Sequence, residues 1–330
     1  MSEDITRSGE VYFIQERDFL TGEMSPYTKI GLVRDDRASS DRKSDHQTGN
    51  PRELVLHAAI PVSMVQTVEK NLHWHFARRR VTGEWFVLNS VELLEATNKC
   101  KSLGDEYSGY VSSIRRAQEF SELVSAPNLL KVTDAAAAWH RRQQISAVIL
   151  KRAEVVLDRY KELMPKKTQL VDSFNEDGFK SKYPSIWAAY LSQPEVGGTF
   201  RVPKLDVSSL ESEDEIVTAT QNAKDFEESI GMCEKSLRSL DDLSIDYLRF
   251  LSLTRYHETL DEIAKFHLKE ICGPSGGIEG ICTWKREVKP AKLDRQALKD
   301  AEPSKFGEFV TKVSREVTDT SRLAKSRAAQ

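Results

Sequence analysis

Up to about residue 90 the chain alternates short apolar runs with turn residues; beyond it, apolar residues recur at helical spacing over long stretches. Side chains alternate faces with period two in a strand and about 3.6 in a helix, so this change of period limits the folds open to the chain. "EVYFIQ" at 10–15 and "YTKIGLV" at 27–33, with Gly22 and Pro26 between them, predict an antiparallel strand pair. A helix follows over about 36–46, then a third strand at 53–60, "ELVLHAAI". Residues 62–80 predict an amphipathic helix with Val65, Val68, Leu72 and Phe76 as its apolar stripe, and "GEWFVL" at 83–88 a further strand. The expected class is α+β: a small N-terminal antiparallel sheet with flanking helices, then a mostly helical region with a late β-hairpin.

The long helical patterns fall at roughly 91–128, 132–164, 211–241 and 243–271. Pro184, Pro194, Gly197, Gly198 and Pro203 predict an irregular connector at about 165–210. The heptad-like stretch at 226–268 suits a helical hairpin or a coiled coil. Three units are expected: 1–90, a mainly helical 91–270, and a hairpin with a basic helical tail at 271–330. No apolar run approaches the roughly 18 to 20 residues that cross a bilayer, and "MSEDITRSGE" lacks the apolar core of a signal peptide. No membrane association and a cytoplasmic location are expected. The four cysteines form no C-x-x-C pair, so reduced structural thiols are expected.

A net charge of −3 argues against wrapping of nucleic acid by the whole surface, which shifts attention to local patches. Arg78, Arg79 and Arg80 form one. Residues 285–330 form another, with twelve Lys and Arg against seven Asp and Glu, including Lys285 and Arg286. Both are candidate nucleic-acid contacts, and both are also what solvated surface charge looks like. Arg42 and His46 stand one helical turn apart just before Gly49-Asn50-Pro51 ends their helix. Singly, Tyr12 is also an ordinary packed strand residue, Arg42 and His46 a solvated helix face, and Glu69 with His73 an exposed i,i+4 pair.

In joint order, Glu10-Val11-Tyr12, Lys29-Ile30-Gly31, Arg42, "HQTGNP" at 46–51, Glu69 and "GEWF" resemble the GIY-YIG nuclease family, in particular its phage- and prophage-associated branch. The resemblance covers about a quarter of the chain. It implies phosphodiester hydrolysis, which needs a nucleophilic water, neutralised phosphate charge and help for the leaving oxygen. It implies that Glu69 holds a divalent metal, Mg²⁺ or also Mn²⁺, and that Arg42 addresses phosphate. It makes Tyr12 the general base for water, its phenolate favoured by nearby positive charge, with His46 orienting it or taking its proton.

Two departures stand out. Lys29 occupies the usual place of the second motif's tyrosine, with Tyr27 on the same strand face, and the late asparagine has only Glu84 and Asn89 as counterparts. His73, Tyr27 and Glu84 are therefore accessory candidates. Residues 260–310 resemble, less specifically, the C-terminal segment of lambda-type phage recombination exonucleases, where a helix and a glycine turn lead into a Thr-Trp-Lys strand, here ending at Trp284 and Lys285. The catalytic carboxylates of that family are not matched.

The expectation is a metal-dependent DNA endonuclease, with RNA as a further substrate class, whose helical region supplies target binding, homo-oligomerisation or contact with a protein partner. The alternative is a non-cleaving nucleic-acid-binding or scaffold protein.

Overall fold

A computed structural model describes residues 4–34, 37–48, 50–203 and 207–318. Gly49 of the "HQTGNP" turn and residues 319–330 of the basic tail lie outside the described residues. The N-terminal unit runs β1 (Gly9–Arg17), β2 (Met24–Arg34), α1 (Ser39–Gln47), β3 (Glu53–Val62), α2 (Val65–His75), β4 (Arg80–Thr82) and β5 (Trp85–Val87). Its five strands form one antiparallel sheet in the order β3-β1-β2-β5-β4. Period two sorts the side chains as the sequence predicts. Val11, Phe13, Ile30, Ile60 and Val62 face the core beneath α2, whose Val65, Val68 and Leu72 are fully buried. Tyr12, Ile14, Val33 and Leu54 pack on the other face, where α1 crosses β1 and β3.

The expected 62–80 helix is shorter than its apolar stripe suggests. α2 stops at His75, a 3-10 turn covers Ala77–Arg79, and Arg80 opens β4.

After β5 come α3 (Ser90–Ser108), α4 (Val111–Ser121) and α5 (Asp134–Leu163), so the single helix expected over 91–128 breaks near Gly109 and Tyr110. The stretch at 165–210 is a correction. It contains β6 (Lys166–Phe174), α6 (Glu176–Lys182), α7 (Pro184–Ala189) and β7 (Val196–Arg201), the prolines starting or flanking elements rather than erasing them. Next come α8 (Asp214–Glu234) and α9 (Leu240–Cys272), which pack with α5 around Phe226, Ile230, Leu243 and Phe250 as a helical bundle.

The late hairpin is β8 (Gly277–Ile278) with β9 (Cys282–Val288), joined in one sheet by β7. α10 (Arg295–Ala301), α11 (Pro303–Gly307) and β10 (Val310–Thr318) close the described chain. The described part of the expected helical tail thus includes a strand, β10, which pairs along its whole length with β6. Among the described residues the cysteines are free thiols, and no helix is long and apolar enough to cross a membrane.

α9 ties the helical region to the N-terminal sheet. Its Ile263 enters the first core, and Tyr256 stacks on Trp74 of α2 with ring centroids 6.4 Å apart. The strongest tie is Arg80, 3% exposed, whose guanidinium donates to Ser252 Oγ at 2.6 Å, Leu248 O at 3.3 Å and Gly83 O. Arg80, expected among the nucleic-acid contacts, is instead a buried pin, because a guanidinium out of water must find acceptors for its protons. Arg80→Met leaves those acceptors facing an apolar chain and is expected to destabilise the protein by roughly 2 to 4 kcal/mol. Urea denaturation checks this, and an unchanged midpoint would contradict it.

Candidate active site

The site begins with how α1 is held. Glu10 Oε2 accepts from Ser39 N at 3.2 Å and Ser39 Oγ at 2.7 Å, so a carboxylate fixes the N-terminal end of α1, where the helix dipole favours negative charge. At the other end Gln47 pins the return into β3: its Oε1 accepts from Leu54 N at 2.7 Å and its Nε2 donates to Arg52 O at 2.8 Å. Asn50 adds Nδ2 to Glu16 Oε1 at 3.1 Å. The Gln and Asn of the "QTGNP" turn therefore set the height and angle of α1 over the sheet.

That placement brings His46 Nε2 to 3.5 Å from Tyr12 Oη. Tyr12 is buried and sits opposite Gly31 in the β1/β2 register. Its ring lies so close over β2 that a Cβ on Gly31 would stand 2.4 Å from the hydroxyl. The glycine of "KIG" is thus a steric necessity of the tyrosine. Arg42, partly exposed and 3.8 Å from Asp45 through Nη1, adds a positive charge that favours the ionised phenol.

The second half of the site is a small cavity of about 90 Å³ lined by Glu69 and His73 of α2, Arg80, Glu84, Ser252 and Arg255, with Lys70. Lys29 Nζ reaches Glu84 Oε2 at 2.8 Å. The Lys29 side chain is 12% exposed but that of Glu84 42%, so the pair is partly screened and adds little to stability. His73 is buried with Nε2 2.9 Å from Ile30 O, which requires the proton on that nitrogen.

The charge states follow from burial and neighbours. Burial first, and Glu84 second, push the Glu69 carboxyl up to about 8, although Arg255, Arg80 and Lys29 oppose this. Glu69 keeps some accessible surface, yet its carboxyl end is crowded enough for desolvation to win. Burial also works against the charge on Glu84, but Lys29 outweighs it, with His73 and Arg80 helping, and holds that carboxyl below its ordinary value. Burial, then Arg80, drives His73 down to about 4, so it is neutral. Burial, then Lys29 and Arg42, lowers His46, leaving a neutral imidazole beside Tyr12. Tyr12 itself is raised by burial and by Glu84, with Arg42 opposing, so the phenolate expected from surrounding cations is not favoured in this state.

Tyr12, Lys29, Arg42, His46, Glu69, His73 and Glu84 are therefore brought together. Tyr27 is not: it is exposed, and among the described residues no hydrogen bond or ring contact joins its side chain to them. Asn89 is the N-cap of α3, accepting from Val91 N at 3.0 Å and Glu92 N at 2.9 Å, which leaves Glu84 as the late residue at the site. Of the basic candidates, Arg79 pairs with Glu92, and Arg78 lines a cleft that also holds Glu95, Asp225 and Asp246. Lys285 is exposed and pairs with Glu287.

Arg286, expected to touch nucleic acid, is 1% exposed. It lies over the buried Trp284 ring at 3.9 Å and donates to Phe120 O and Ser275 O, so it builds the hairpin core and cannot reach a phosphate. Arg255 and Ser252 escaped the sequence reading because nothing in a long helix marks which turn meets a distant cavity.

Residues 9–101 match the T5orf172 domain, a GIY-YIG-like domain of the phage-associated nuclease type. The match stops short of the helical bundle. No curated protein and no solved structure matches the chain.

Glu69 also has a pH signature. Below about pH 4.5 it is protonated in folded and unfolded chains alike; as the pH rises toward 8 the unfolded chain gives up its proton first. The metal-free protein therefore loses stability across that window, and the loss levels off above it. Glu69→Gln is expected to raise the melting midpoint over wild type by a margin that widens from about pH 4.5 to about 8. The widening is bounded by about 1.4 kcal/mol per pH unit. A margin that stays constant with pH in thermal melts would contradict the assignment.

Proposed function

We propose that the protein is a metal-dependent endonuclease that hydrolyses phosphodiester bonds in DNA. The observation that carries this reading is the convergence of Tyr12 from β1, Lys29 from β2, Arg42 and His46 from α1, Glu69 from α2 and Glu84 from the β4–β5 turn. The helical region would supply target binding, oligomerisation or partner contact.

The donor set suits a hard divalent cation such as Mg²⁺. Glu69 and Glu84 offer carboxylate oxygens to one cavity, and the proton that Glu69 holds near neutral pH marks a position where positive charge is wanted. Among the described residues no third Asp, Glu, His or Cys completes a cage. That suits an ion that keeps several waters and takes phosphate oxygens as ligands. When bound, the ion would neutralise phosphate charge and assist the leaving oxygen.

The chain's own groups account for the rest. Arg42 presents a planar, always-charged fork to the phosphate. Tyr12 Oη takes a proton from the attacking water while its own proton passes to the neutral His46 Nε2, so the phenol never has to ionise alone in a buried place. The 3.5 Å contact is long for a hydrogen bond and has to shorten for this transfer. Lys29 holds Glu84 and occupies the position where the family's tyrosine stands.

Supercoiled plasmid incubated with Mg²⁺ or Mn²⁺ tests the reading. Wild type is expected to nick or linearise it, with Tyr12→Phe and Glu69→Ala each slower by at least about 100-fold. Folded wild type that binds DNA and leaves it intact would favour the scaffold reading instead.

A further inference from the structure

Among the described residues, Lys70 and Arg255 are the cations of this cavity that no ion pair or side-chain hydrogen bond ties down, and Arg255 is the one that the helical region brings. Lys29 is committed to Glu84, and Arg80 to Ser252, Leu248 and Gly83. Arg255 lines the same cavity, is exposed, and forms no ion pair or side-chain hydrogen bond among the described residues. Its position is nonetheless fixed. Ser252 and Arg255 are three residues apart and so share one face of α9. Arg80 fastens Ser252 from below, and the neighbouring Tyr256 stacks on Trp74. A docked helix thus delivers a free guanidinium to the cavity that Glu69 and Glu84 share, from outside the 9–101 segment that matches the nuclease-type domain.

Arg255 is the first of the cations that favour the Glu69 carboxylate, but it acts from beyond salt-bridge distance and leaves its guanidinium protons unbonded. With the carboxylate charge taken up by a cation, Arg255 has no anion of its own chain to face. What suits it is an oxygen pair from outside, and a guanidinium fork matches the two non-bridging oxygens of a phosphodiester. Arg42 approaches from α1 on the tyrosine side, and Arg255 from α9 beside Glu69.

We propose that Arg255 is a phosphate-binding residue of this site, gripping a backbone phosphate of the nucleic acid so that a helix of the C-terminal region completes the nuclease site. This rests on the endonuclease reading, since it takes a nucleic-acid strand to run across the cavity.

The test is binding of a fluorescein-labelled DNA duplex to the full chain, followed by anisotropy in Ca²⁺ over a range of salt concentrations, for wild type, Arg255→Ala and Arg255→Lys. Arg255→Ala is expected to weaken binding about tenfold and to flatten the dependence of log affinity on log salt by about 0.9, the loss of one phosphate contact. Arg255→Lys should restore the slope but only part of the affinity, because a point charge replaces the fork. The same slope and affinity in Arg255→Ala as in wild type would overturn the proposal, as would wild type that does not bind the duplex.

Plasmid cleavage run in parallel separates the two ideas. Equal cutting by wild type and Arg255→Ala sinks the arginine and leaves the endonuclease standing. An Arg255-dependent salt slope without cutting by wild type sinks hydrolysis and leaves the phosphate contact. Should Arg255→Ala fold poorly, Arg255→Gln carries the comparison, with melting midpoints as the control.

Discussion

Two carboxylates cannot both remain ionised in one small cavity unless positive charge stands close to them, and the N-terminal fold is arranged around that constraint. Glu84 keeps its charge because Lys29 reaches it from β2. Glu69, deeper and without a bonded cation, holds its proton to about pH 8. Neutral His73 and the buried Arg80 line the same cavity. Burial keeps the tyrosine and the histidine beside it in their neutral forms.

The same constraint reaches into the helical region. Arg80 is oriented by acceptors on α9 that lie far along the sequence, so the end of the cavity is built from two parts of the chain that fold against each other. α9 also lends Ile263 to the first core while its N-terminal half packs in the bundle with α5 and α8. Arg80 thus stands between Ser252 of the bundle and the cavity that Glu69 and Glu84 share.

What could be read from the sequence followed from local periodicity. The strands around Tyr12 and Lys29 and the stripe of Val65, Val68 and Leu72 announce themselves by spacing, and the order of separated motifs placed Tyr12, Arg42, His46 and Glu69 together. Glu10 and Gln47 needed the structure: their work is to bond backbone groups of α1 and β3, which no spacing rule reveals. Arg80 and Arg286 read as surface charge because sequence records a cation and not its acceptors. β6 and β10 were hidden for a related reason. Each is a mostly exposed strand with little alternation, defined only by the other across a long separation.

The most direct test of the central claim, that Glu69 and Glu84 hold a divalent cation at the cost of a bound proton, is calorimetric titration of Mn²⁺ into the protein near neutral pH in two buffers of different ionisation enthalpy. One ion should bind, with a heat that shifts between buffers as Glu69 releases its proton, and Glu69→Gln should lose that shift. Absence of binding, or binding whose heat ignores the buffer, would contradict the account.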